Sequence, residues 1–158
     1  MAEPLLAPPE QQLKAYVNFY YTSSRIKPAE FWSVESKRWS KRTEDFLGKS
    51  GEAKSVAQQL AGSNPTETAK KVYAHVQKLR NYSFEIEKSD QEVRKEALSE
   101  ARNVAEVLKK GAGFRDEINR AFVAIARAAG LQAEIVRVAP RDATFFSEVI
   151  PDAGQMNA

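Results

Sequence analysis

Apolar positions recur at helical spacing along most of this chain, and alternate only near its end. Leu13, Tyr16, Val17 and Tyr20 share one helical face, which predicts a helix over about Glu10–Tyr21, broken by Thr22-Ser23-Ser24. Pro28 suits the first turn of a second helix that runs to Leu47 and stops at Gly48. A shorter helix is expected around Glu52–Leu60. The strongest start signal is Asn64-Pro65-Thr66-Glu67: a capping side chain, a first-turn proline and an acid in the first turn. Behind it Ala69, Val72, Tyr73, Val76 and Leu79 line one face.

The pattern then changes. Tyr82, Phe84 and Ile86 alternate with polar residues over Asn81–Glu87, which predicts a short strand or extended segment. Ser89–Ser99 is charged and reads as a mobile connection or a loose helix. Ala101, Val104, Ala105 and Leu108 mark a helix stopped by Gly111-Ala112-Gly113. Asp116 and Glu117 open the most apolar helix, in which Ile118, Phe122, Val123, Ile125, Ala126 and Ala129 leave little polar circumference, so it is expected to be buried. Gly130 ends it. Leu131–Val138, with β-branched Ile135, Val136 and Val138, predicts a strand, and Phe145–Ile150 a second. Helices first and strands late give an α+β class: mostly helical with a small C-terminal antiparallel sheet. A sheet only begun at residue 158 implies a chain cut from a longer one.

Composition narrows the chemistry. There is no cysteine among the 158 residues, which excludes a thiolate nucleophile, a disulfide and a zinc–thiolate site within this chain. A single histidine, His75, excludes a multi-histidine metal site, and no cofactor fingerprint is present. The net charge of +3 is mild and does not by itself call for nucleic acid. The longest apolar stretch, Ala121–Leu131, contains Arg127 and is too short to span a bilayer, so no membrane insertion is expected. Residues 1–10 lack the basic and apolar regions of a signal peptide, and nothing fixes a compartment.

Three local constellations carry candidate chemistry. Trp32, Trp39 and Phe46 are seven apart, and Lys37, Arg38, Lys41 and Arg42 surround them. Residues 25–49 hold seven basic and four acidic residues, so the chain's whole excess sits there. This suits a single-stranded nucleic-acid surface, but large aromatics at that spacing are also what a helix packing on a body requires, and packing is the preferred reading. His75 lies beside Lys71 and Lys78 with no orienting carboxylate in sequence, and reads as a surface histidine. Gly111-Ala112-Gly113-Phe114-Arg115-Asp116 precedes a helix start, where anions bind, yet it matches no phosphate-loop pattern and Asp116 and Glu117 repel phosphate.

With its surroundings, this last segment resembles the transglutaminase-like superfamily, on the papain-like cysteine-peptidase fold. The likeness covers roughly Pro65–Ala158: a helix of the type Ala69-x-x-Val72-Tyr73-x-x-Val76, an extended aromatic segment at Tyr82 and Phe84, a Gly-rich turn, and a buried helix ending in Arg127-Ala128-Ala129-Gly130 before a strand. The family pattern at the start of that buried helix is Gly-x-Cys-x-Asp; here the stretch is Gly113-Phe114-Arg115-Asp116. Phe114, or Gly113 one residue earlier, then stands where the cysteine nucleophile would be. Met156-Asn157-Ala158 puts Ala158 at the histidine position, and the aspartate falls beyond the chain. A helix N-terminus activates a thiolate, so losing the thiol and its base together removes the family's chemistry.

The resemblance implies residues 1–62 as an N-terminal helical extension and 63–158 as a transglutaminase-like core, incomplete at its C-terminus. The expectation is a non-catalytic recognition or scaffolding module of a larger bacterial protein, with protein, peptide or neighbouring domains as partners and no cofactor. Its binding groove is expected around Gly113, Phe114, Arg115, Asp116 and Arg141. Nucleic-acid binding through residues 25–49 and a structural spacer role are the alternatives.

Overall fold

A computed structural model describes residues 15, 17, 26–48, 50–85, 99–140 and 145–156. The helix expected over Glu10–Tyr21 and the charged connection Ser89–Ser99 lie outside the described residues, save for 15, 17 and 99. Helices span Pro28–Leu47 (α1), Gly51–Gln59 (α2), Pro65–Val76 (α3), Val104–Lys110 (α4) and Arg115–Ala128 (α5). Two two-residue strands, Arg80–Asn81 (β1) and Ala112–Gly113 (β2), and two tight helical turns, Tyr82–Phe84 and Ala153–Gln155, complete the order. The α+β class holds, and every helix expected within the described residues forms.

Local chemistry sets the helix ends. The side-chain oxygens of Ser50, Asn64 and Asn103 each accept a backbone N–H from the first turn of the helix they precede, donated by Ala53, Glu67 and Glu106 respectively. Such caps contribute about 1 kcal/mol each. Gly111 ends α4 with φ +64°, a left-handed conformation that any side chain resists.

The chain divides into two compact units, one formed by residues 41–135 and the other by the described parts of 1–40 and 136–158. In the larger unit α5 packs against α2, α3 and α4, and its sequence explains why. Ala121, Ile125 and Ala126 are all but fully buried, and Ala121 and Ile125 share one core cluster with Val72 of α3 and Val104 and Val107 of α4. Ala53 and Ala57 on α2 are buried too, so small residues let the helix axes approach closely. The last turn of α1 adds Phe46 and Leu47 to this core. The guanidinium of Arg120 lies over the Phe46 ring, 4.8 Å from its centroid.

In the smaller unit Trp32 is the anchor. Its indole Nε1 donates to the Glu148 carbonyl at 2.8 Å, and its ring meets Phe31 and Phe146 edge-on, both at 5.0 Å. Arg137 donates to the Met156 carbonyl and lies 3.6 Å from Glu35.

The sheet differs from expectation. It is parallel, not antiparallel, and internal rather than C-terminal: Arg80 pairs with Ala112 and Asn81 with Gly113. Leu131–Val138 alternates in exposure as a strand would, with Leu131, Ala133, Ile135 and Arg137 half-buried and the residues between them exposed. Yet it joins no ladder among the described residues; the carbonyl of Ala133 accepts from Arg127 Nε at 2.8 Å instead. Phe145–Ile150 is not a strand either. The Gln155 side chain takes both backbone groups of Ser147, accepting its N–H at 2.8 Å and donating to its carbonyl at 3.1 Å. The segment closes on itself as a turn. A period-two pattern supplies a strand's side chains, but a strand also needs a neighbouring backbone.

Core geometry makes a direct prediction. Ile125→Ala leaves a cavity at the contact of α5 with its neighbours and lowers unfolding free energy by roughly 2–5 kcal/mol in chemical denaturation. Val136→Ala, at a side chain 72% exposed, changes it by no more than about 0.5 kcal/mol. Glu67 supplies a second. Hydrogen bonds from the Ser63 hydroxyl and N–H, then the Lys71 ammonium, push its carboxyl down to about 2. A folded value below the unfolded one stabilises above the unfolded value and is lost as pH falls through the folded one. Wild type therefore loses its melting-temperature advantage over Glu67→Gln between about pH 4.5 and 2.

Candidate functional site

The site begins with the parallel pair. β1 and β2 bring the Tyr82–Phe84 turn beside the start of α5, although more than thirty residues separate them in sequence. Side chains fasten the turn. The Asn81 carboxamide oxygen accepts the Ser83 N–H at 3.0 Å, and Glu85 N–H closes onto the Tyr82 carbonyl. The Ser83 hydroxyl accepts the Arg115 N–H at 2.9 Å, which joins turn to helix. The Tyr82 and Phe114 rings meet edge-on with centroids 5.5 Å apart. The Arg80 guanidinium sits 5.4 Å from the Tyr82 ring and pairs with Glu85.

Phe114 is the N-cap of α5, with extended backbone and a half-buried ring that offers the helix no acceptor. The N–H of Phe114 itself is served from three residues on. Glu117 is only 4% exposed, and its two carboxyl oxygens accept the Phe114 N–H at 2.8 Å and the Ala101 N–H at 2.6 Å. One side chain thus holds the first turn of α5 and the approach to α4 together. Gly113 is buried against it: a Cβ there would lie 3.0 Å from Glu117 Oε2 and 3.4 Å from Val107 Cγ1. A side chain there would press against the Glu117 carboxylate. Asp116 is exposed and pairs with Arg120 one turn on, at 3.0 Å. Arg115 is exposed.

Of the sequence-level candidates, Gly113, Phe114, Arg115 and Asp116 lie together at the head of α5, Gly113 buried, Phe114 half-buried and Arg115 and Asp116 exposed. Arg141 and Ala158 lie outside the described residues. His75 is half-buried in the last turn of α3. No group of three potential ligands that could hold a metal ion occurs among the described residues. Among them, too, no helix is long and apolar enough to cross a membrane. Sequence reasoning missed the separate parts played by the two first-turn acids. An acid three residues after a cap is the usual sign of a side chain reaching back to the cap's N–H, and Glu117 has that spacing. Tyr82 and Ser83 carry no such sign, because only the strand pairing brings them here.

The model of the transglutaminase-like superfamily matches residues 54–150, more than half of the chain. With its buried helix opening at the end of an internal strand, the chain belongs to the transglutaminase-like superfamily. No curated protein and no solved structure matches it.

Glu117 is the residue on which this site's shape depends. Glu117→Ala leaves two backbone N–H groups, those of Phe114 and Ala101, without their acceptor and destabilises by about 2–6 kcal/mol, given roughly 1–3 kcal/mol for each unmade bond. The check is urea denaturation with wild type and Asp116→Ala in parallel. The exposed Asp116–Arg120 pair should contribute less than about 1 kcal/mol.

Proposed function

We propose that this transglutaminase-like domain is non-catalytic and acts as a protein- or peptide-recognition or scaffolding module of a larger bacterial protein. The observation that carries the reading is the residue at the head of α5. The resemblance puts the nucleophile at Phe114 or Gly113, and the chain has no cysteine anywhere. Phe114 spends its ring on Tyr82, and Gly113 is closed in by Glu117 and Val107. Acyl transfer also needs hydrogen-bond donors aimed at the developing oxyanion. The Phe114 and Arg115 N–H groups, the nearest backbone donors, are already committed to Glu117 and Ser83. A surface of this kind retains shape and contact groups without a nucleophile, which suits recognition.

A nucleic-acid role for residues 25–49 has less support. Trp32 is half-buried and engaged with Glu148 and Phe146, so its ring does not lie open for base stacking. Lys41 is paired with Asp45 at 2.6 Å.

The test is incorporation of a fluorescent primary amine into a glutamine-containing protein substrate, together with release of ammonia from a glutamine peptide. The expected result is no turnover above buffer, for wild type and for Phe114→Cys alike. A new thiol at the cap has no placed base, and the flanking N–H groups stay occupied. Turnover by the wild-type chain would overturn the reading.

A further inference from the structure

No further inference is drawn: the strongest candidate, the extended run 132–138 with its exposed Val136 and Val138 and a backbone that joins no ladder among the described residues, carries none, because nothing in the structure shows what covers it.

Discussion

A helix that is apolar over most of its circumference can be buried only if its polar ends are dealt with on the spot. In α5 that task falls to Glu117. Its carboxyl oxygens, almost wholly out of water, accept one N–H from the cap residue of its own helix and one from the approach to α4. Burying an acid costs several kcal/mol unless its oxygens are hydrogen-bonded, and leaving a buried N–H unpaired costs a further 1–3 kcal/mol or so. Each group offsets the other's penalty. The arrangement fixes where α5 begins, holds Ala101 at the edge of the core, and keeps Gly113 free of any side chain. The packing of Ile125 and Ala121 against α3 and α4 follows from that fixed start.

The same constraint shapes what the site offers. A helix N-terminus in solution presents open N–H groups and a positive dipole end, which favour a thiolate placed there. In this chain an acid of the protein's own serves the cap N–H, and a serine from the Tyr82–Phe84 turn takes the next. The head of α5 is therefore already supplied with acceptors. What remains outward is the half-buried Phe114 ring with exposed Arg115 and Asp116, beside a two-residue parallel strand pair that positions the turn.

The smaller unit is built on different terms. Its order comes from hydrogen bonds that consume backbone groups one at a time: Trp32 on Glu148, Arg137 on Met156, Gln155 on Ser147. None of these is a ladder or a helix, so none leaves a periodic trace in the sequence. The smaller apolar burial here matches the exposure of Val34, Val138 and Val149. The larger unit, whose interior is repeated valine, alanine and isoleucine at helical spacing, was correspondingly legible in advance.

Sequence alone determined the helices and most of their ends, because capping, first-turn proline and helical periodicity act within a few residues. Asn64-Pro65 before α3 and Pro28 opening α1 are such signals, as is Gly48 after its last turn. The superfamily and the candidate stretch at Gly113–Asp116 were legible for the same reason, since the pattern is local and the helix behind it strongly apolar. Tertiary structure alone decided which backbone met which. Alternating residues at 131–138 foretold a strand's side chains, but hydrogen-bond partners are chosen by the chain's path, and the ladder formed at Arg80–Asn81 with Ala112–Gly113 instead. That non-local choice also brought Ser83 to Arg115 and Tyr82 to Phe114, contacts that no spacing in the sequence encodes.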